Sequence, residues 1–154
     1  MNYFDMVTSE SLQLHSPGLL LLPRENRDQK LELSSYEVRI NTNVIVNVWA
    51  INRDTRYWTE AERFSPQRFM DCSIDSDYNG NFFQFIPFGA GRRICPGISF
   101  VLTIVKLTLA NLLYHFQCEL PSKGIDMNER FKTSRTRETT PHLDLIPVLY
   151  DVAP

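Results

Sequence analysis

The first third of the chain combines a helical pattern with short runs that are typical of strands. The apolar residues of NYFDMVTSESLQL recur at helical spacing, which predicts a helix over 2–14 that stops before Pro17-Gly18. The run GLLLLPRE predicts a short buried strand, and KLELSSYEVRI predicts two short strands around Ser34-Ser35. NVIVNVWAI begins as a strand, and its later half is predicted to turn helical.

The pattern changes after residue 52. Residues 52–81 mix aromatic and charged side chains without a period, which predicts a loop with helical turns held by three aromatic residues, Trp58, Phe64 and Phe69. Within it, SIDSDYNGN predicts an acidic surface turn. ELPSKGIDMNERFKTSRTRETTP predicts a polar loop, and HLDLIPV predicts an edge strand that ends at Pro147.

The run 98–116 is almost entirely apolar and is nearly long enough to cross a bilayer, which takes about 20 residues. Lys106 lies at its centre, and a central lysine costs roughly 2.5–3.5 kcal/mol on insertion into a membrane. The sequence therefore favours a buried helix of a soluble protein over a membrane span.

The composition is globular, with 43% hydrophobic and 22% charged residues in a chain of 154, a length that fits one domain. The formal net charge of −2 gives no reason to expect nucleic acid as a partner. No signal-peptide pattern precedes the three cysteines, so they are expected to be reduced, with Cys72 and Cys118 as buried thiols. His115 and Cys118 have ligand spacing but no second pair, so zinc is not expected.

Residues 85–100, FIPFGAGRRICPGISF, carry the candidate chemistry. Ile94 stands where a dinucleotide fingerprint needs its third glycine, a phosphate-binding G-K-[ST] is missing, and no histidine has the context of a base for a nucleophilic cysteine. The glycines let backbone N–H groups approach Cys95, and the helix that starts after Pro96 directs its positive end at the sulfur, which favours a thiolate. Haem iron suits such a ligand; a buried structural thiol in a glycine turn is the alternative.

The segment FGAGRRICPG (88–97) resembles the haem-binding signature of the cytochrome P-450 family, F-x-x-G-x-R-x-C-x-G, at every fixed position. Two further features follow the family order. The segment from Trp58 to PQRF (66–69) resembles the family's W-x-x-P-x-x-F-x-P-E-R-F, and ESLQ (10–13) stands where the family has E-x-x-R. LHSPGLLLLPRE and LDLIPV resemble plant members that oxidise small lipophilic metabolites.

The resemblance implies a mixed fold, mainly α with small β-sheets, which is the C-terminal portion of the cytochrome P-450 fold. It would run from the K helix through short strands, the meander, the cysteine haem loop and the L helix to terminal strands. Residues 1–154 are expected to be the C-terminal portion of a single domain, with the I helix and the N-terminal anchor outside the chain.

The resemblance also implies how haem b would be held. Cys95 would be the axial thiolate ligand of the iron, and a thiolate favours O–O cleavage in this family. Phe88 would pack near the thiolate side of the macrocycle. Gly91 and Gly97 would allow close backbone approach and N–H···S bonds. No catalytic residue other than the ligand is expected in this segment.

Charged partners are implied as well. Arg93 would pair with a haem propionate, and so would Arg24, for which a solvated surface cation is the alternative. Glu10 and Arg68 would belong to the family's ionic network, with an ordinary surface pair as the alternative. Gln13 replaces the arginine of that network, and loss of such a member costs about 3–5 kcal/mol when it leaves its partner charge unpaired.

The family reaction inserts one oxygen atom of O2 into a lipophilic small molecule and reduces the other to water, with electrons from NADPH through a reductase. The chain is therefore expected to be the haem-binding segment of a haem-thiolate monooxygenase. Arg92, Arg93 and Lys106 are expected to form a basic patch for an acidic partner.

A full-length member would lie at the cytosolic face of the endoplasmic reticulum membrane, while no membrane span is expected in this segment. Two alternatives stay open. The first is a non-catalytic truncated fragment or pseudogene product that is inactive and does not bind haem stably alone. The second is an unrelated globular domain with a chance cysteine loop.

Overall fold

A computed structural model describes most of the chain, namely residues 3–27, 31–71, 78–121, 124–126, 128–131, 135–138, 140 and 143–148. It divides into two compact units, Met1–Ile94 and Cys95–Pro154. The described residues form helices and two-stranded antiparallel sheets. The predicted mixed class with small sheets is therefore confirmed.

Helix α1 opens the first unit and spans Tyr3–Leu14, as its apolar period predicts. Its buried face is not purely apolar, because Ser9, Glu10 and Gln13 are fully buried there. The helix ends just before Pro17, which has no N–H to donate. Buried polar groups need partners inside the protein, so this face directs the later packing.

The short strands of the first unit form two separate pairs. β1 (Arg24–Glu25) pairs with β4 (Asn43–Val44), and β2 (Leu31–Leu33) pairs with β3 (Tyr36–Val38). The β2–β3 hairpin turns at Ser34-Ser35, as predicted. The predicted change from strand to helix is also confirmed, because α2 (Val48–Ile51) follows β4.

The predicted buried strand in GLLLLPRE is wrong over its first six residues. Leu20 and Leu22 are 50% and 85% exposed, and the strand begins only at Arg24. Leu21 has a φ of 49°, which no strand can accommodate, and Pro23 has no N–H for a ladder. The apolar run is therefore an irregular connection that leads to β1.

The core of the first unit is aromatic. Trp58, Phe69 and Phe85 are 2%, 3% and 0% exposed, and their ring centroids lie 5.2–6.2 Å apart in tilted or edge-to-face contacts. Phe69 lies on the short helix α3 (Arg68–Asp71). The prediction that Phe64 also holds this region is wrong, because its ring is 48% exposed.

Helix α4 dominates the second unit and spans Ile98–His115, as predicted. The prediction that it is buried is wrong for this chain, since none of its residues is buried. The described remainder of the unit consists of two small sheets, which cannot cover an 18-residue helix that is apolar on several sides. By length and composition alone α4 could cross a membrane, a test that core helices of soluble proteins also pass.

The sheets of the second unit contain one strand that the sequence predicts and one hairpin that it does not predict. β5 (Phe116–Glu119) pairs with β8 (Asp144–Pro147), which confirms the edge strand that ends in proline. β6 (Glu129–Phe131) and β7 (Arg135–Arg137) form a hairpin where a polar loop is predicted. An isolated two-stranded ribbon needs no apolar face, so its sequence carries no alternation to detect.

The expectation for the two non-signature cysteines is only partly tested. Cys118 lies on β5 and is exposed, so the prediction of a buried thiol is wrong there. The strand has only β8 as a partner, and nothing described covers this position. Cys72 lies outside the described residues.

Candidate functional site

The segment that leads to the cysteine starts from the aromatic core of the first unit. Phe85 is fully buried in that core, and Pro87 is buried two residues later. The ring of Phe88 meets Tyr78 edge-on at 5.8 Å. The backbone that follows therefore begins at residues whose side chains are fixed by packing.

Residues Gly89–Arg93, which we call the glycine turn, reverse the chain. Gly89 and Gly91 have φ values of 76° and 67°, a region that side chains disfavour. The Gly89 N–H donates to the Ile86 carbonyl at 3.0 Å, and the Ile94 N–H donates to the Gly91 carbonyl at 3.0 Å. A Cβ on Gly91 would meet no atom of the described part of the chain within 4 Å, so the backbone is open to close approach at this point.

Two arginines proposed as propionate partners lie at this turn. Arg93 ends the 3-10 turn Gly91–Arg93 and is exposed. Arg24 reaches the turn from β1, where its Nη2 donates to the Ala90 carbonyl at 3.2 Å. Arg24 is thus attached to the glycine turn, and its role toward a propionate stays a prediction, as does that of Arg93.

The predicted ligand begins the second unit. Cys95 is a free, half-buried thiol, and Gly97 caps the N-terminus of α4 two residues later. A Cβ on Gly97 would lie 3.8 Å from the Cys95 sulfur. Residue 97 is therefore within ordinary contact distance of the sulfur, which lies at the positive end of an 18-residue helix.

These features fit the group that the sequence resemblance implies. A thiol at a helix N-terminus is a suitable thiolate donor for haem iron, and exposed guanidinium groups suit carboxylate partners. The open backbone at Gly91 would allow a bound group to approach it closely.

The proposed ionic network lies within the first unit and joins α1 to the start of α3. Glu10 on α1 is fully buried, and its Oε2 lies 2.9 Å from Nε of Arg68. The two atoms are not aligned for a hydrogen bond, so the contact is an ion pair. Oε1 accepts the Ser65 N–H at 2.6 Å. The structure thus brings together the two residues that the sequence assigns to one network.

Arg68 also organises the loop that precedes it. Its Nη1 donates to the Thr59 carbonyl at 2.6 Å, and its Nη2 donates to the carbonyls of Glu60 and Arg63 at 3.1 and 2.8 Å. The guanidinium therefore neutralises Glu10 and satisfies three backbone acceptors.

Gln13 forms hydrogen bonds of its own at the position where the family has an arginine. It is fully buried, and its Nε2 donates to the Asn52 carbonyl at 2.6 Å and to the Ala61 carbonyl at 3.5 Å. Asn52 returns a bond from Nδ2 to the Gln13 carbonyl at 2.7 Å. Glu10 is paired by Arg68 and Ser65, so its charge is not left alone. Gln13 Oε1 is buried without a hydrogen-bond partner among the described residues, and the cost predicted for this glutamine stays a prediction.

Sequence reasoning missed the residues that support the glycine turn. Tyr78 and Gly80 fall in the segment predicted to be an acidic surface turn, yet both are buried. The Tyr78 hydroxyl bonds the Ser9 hydroxyl at 2.8 Å. In the sequence, the spacing of Tyr78 two positions before Gly80 was the one signal of this support.

Comparisons with known proteins agree with the motif. A family model described as cytochrome P450 matches residues 1–143. The chain is 46% identical over 152 residues to cytochrome P450 71D7 of Solanum chacoense, covering 92% of this chain and 30% of that protein. It is 44% identical over 151 residues to 5-epiaristolochene 1,3-dihydroxylase of Nicotiana tabacum, covering 96% and 29%.

Solved structures give the same result. A zebra fish cytochrome P450 structure with progesterone superimposes with a TM-score of 0.80 at 29% identity, covering 95% of this chain and 31% of that one. The chain thus spans about 30% of the length of the relatives that it matches.

Proposed function

Because this chain belongs to the cytochrome P450 family, whose cofactor is haem, we propose that it is the haem-binding segment of a plant-type haem-thiolate monooxygenase. We propose further that residues 1–154 are the C-terminal portion of a single domain. The reaction would insert one oxygen atom of O2 into a lipophilic small molecule and reduce the other to water. When bound, haem supplies the oxygen-activating iron.

One observation carries this proposal. Cys95 is half-buried and immediately precedes the N-terminus of α4, where Gly97 is the N-cap and a Cβ built on it would lie 3.8 Å from the sulfur. This geometry supports a metal-binding thiolate over a structural thiol, because a structural thiol would be packed against side chains.

The chain's own residues would hold the cofactor. Cys95, which immediately precedes the N-terminus of α4, would bind the iron. Arg93 would neutralise a propionate, and so would Arg24, whose attachment to Ala90 keeps it beside the glycine turn. Phe88, which is held by Tyr78, would pack against the macrocycle.

The substrate and the electron donor are proposals at the level of class. Relatives named premnaspirodiene oxygenase and 5-epiaristolochene 1,3-dihydroxylase support oxygenation of a small molecule. Electrons would come from NADPH through a reductase, and the exposed guanidinium groups of Arg92 and Arg93 would meet acidic groups of that partner. A protein that contains this chain would lie at the cytosolic face of the endoplasmic reticulum.

The test is a spectrum of a chimera. Residues 1–143 replace the matching segment of 5-epiaristolochene 1,3-dihydroxylase, and the reduced carbon monoxide complex is recorded. We expect the red-shifted Soret band of thiolate ligation, its loss in Cys95→Ser, and its retention in the matched control Cys118→Ser. A shifted band that survives Cys95→Ser would overturn the assignment.

For the 154-residue chain alone, a second function class is favoured by one observation, the absence of any buried residue on α4. We propose that the isolated chain is non-catalytic and does not hold haem stably. Titration with haemin followed by gel filtration tests this. A complex that survives filtration with a thiolate spectrum would contradict it.

A further inference from the structure

The glycine turn is in tight contact with one residue outside it. Gly80 is buried, with a φ of +75°, and a Cβ built there would lie 2.8 Å from both Cα and Cβ of Ala90 and 2.9 Å from the Gly89 carbonyl oxygen. Cβ atoms do not occur at such distances from backbone. Residue 80 must therefore lack a side chain, or the glycine turn must move.

The 78–80 turn (Tyr78, Asn79, Gly80) is held from behind, so it cannot easily retreat. The Tyr78 hydroxyl shares a buried hydrogen bond of 2.8 Å with Ser9 on α1. The Tyr78 ring packs against Phe85 at 5.9 Å and against Phe88 at 5.8 Å. The 78–80 turn is thereby tied both to the first helix and to the aromatic core.

Ala90 is also held by Arg24. That side chain donates to the Ala90 carbonyl at 3.2 Å, while Gly80 lies against the Ala90 Cα and Cβ. The backbone that leads through Arg93 to Ile94 is thus held by two contacts, one from Arg24, 66 positions before Ala90, and one from Gly80, ten positions before it.

We propose that Gly80 is a positioning residue for the haem-binding loop: its missing side chain lets the 78–80 turn, anchored by Tyr78, hold the glycine turn in place. The contact between Gly80 and the glycine turn is observed in the structure. Its consequence for the cofactor rests on the proposed function.

The discriminating variant is Gly80→Asn, with Gly124→Asn as its matched control. Gly124 has a φ of +72°, and no atom of the described residues lies within 4 Å of a built Cβ. Asparagine tolerates positive φ, so both variants carry similar backbone strain. Of the two, only Gly80→Asn places a Cβ against the glycine turn. NMR hydrogen exchange of the 154-residue chain reports the amides of Gly89 and Ile94, whose bonds close the turn.

We expect Gly80→Asn to speed exchange at Gly89 and Ile94 by about tenfold or more, with Gly124→Asn unchanged at both. The His15 amide, bonded to the Ser11 carbonyl on α1, is the internal reference for an intact fold. Equal exchange in the two variants at Gly89 and Ile94 would overturn the proposal.

A second variant covers the case in which Gly80→Asn also exposes the His15 amide. Tyr78→Phe keeps the ring but removes the bond to Ser9. Faster exchange at Gly89 and Ile94 with His15 unchanged supports the proposal, and unchanged exchange contradicts it.

The effect of Gly80→Asn on haem binding is measured separately, in the chimera described above. Gly80→Asn should lower the fraction of protein with the thiolate Soret band, while Gly124→Asn should not. If the unsubstituted chimera binds no haem, the proposed function fails, but the exchange experiment still decides the position of the turn. If both variants keep the full band, Gly80 does not position the haem site.

Discussion

Glu10 and Arg68 form a buried ion pair in which Oε2 and Nε lie 2.9 Å apart, although 58 positions of sequence separate an α1 residue from an α3 residue. Glu10 is fully buried, and the Arg68 side chain is 11% exposed. The pair fixes α1 against the loop that Arg68 organises through its backbone acceptors.

Arg68→Leu should lower the free energy of unfolding by about 3–5 kcal/mol, because it leaves a buried carboxylate without its cation. Urea denaturation of the 154-residue chain measures this. The control is Arg63→Leu, which removes an exposed partner of Glu60 and should cost at most about 1 kcal/mol. Adding Glu10→Gln to Arg68→Leu should recover part of the loss, and no recovery would show that the cost is not electrostatic.

Gln13→Glu should destabilise the chain by about 3 kcal/mol or more, because it buries a second carboxylate one helical turn from Glu10 and removes the donor to Asn52. The matched control is Gln117→Glu on exposed β5, which we expect to stay within about 0.5 kcal/mol. Urea midpoints and slopes distinguish the two. Equal effects would mean that Gln13 is not a buried donor.

Phe85→Ala should cost about 3–5 kcal/mol, because the ring is fully buried and contacts Trp58, Phe69 and Tyr78. Phe83→Ala, two residues away and 72% exposed, should change stability by no more than about 0.5 kcal/mol. Thermal unfolding followed by near-ultraviolet circular dichroism reports the aromatic core directly. Similar losses in both variants would contradict the burial of the Phe85 ring.

Hydrogen bonds from the Arg56 side chain and backbone lower the pKa of Asp54 to about 2. The stabilisation from this pair is therefore present above the ordinary carboxyl pKa of about 3.9 and is lost as pH falls toward 2. Arg56→Gln should raise the pKa of Asp54 toward its ordinary value, as measured by carboxyl carbon NMR titration. Arg27→Gln, which removes another exposed arginine, should leave Asp54 unchanged.

Local patterns predicted the local elements well. The bounds of α1, the β2–β3 hairpin and the change from β4 to α2 follow from periodicity and turn residues that lie close together in sequence. Hairpin β6–β7 escaped prediction because a two-stranded ribbon needs no apolar alternation. The irregular path before Arg24 escaped it because Leu21 adopts a positive φ that no leucine propensity indicates.

The candidate site divides in the same way. The residue types around Cys95 predicted a haem-binding loop, because the proposed ligand, the glycines and two arginines lie within ten consecutive positions. The pairing of Tyr78 with Ser9 was invisible, since the two residues lie 69 positions apart and neither has a distinctive context.

By itself, then, the sequence determined the family and predicted the ligand, because the residues of the signature lie at fixed spacing in one short segment. Only the tertiary structure decided how Gln13 replaces an arginine, and which glycine outside the motif holds the loop. Those outcomes depend on the approach of backbone carbonyls at Asn52 and Ala61 and on the contact of Gly80 with Ala90. Such contacts arise from tertiary packing, which no local pattern encodes.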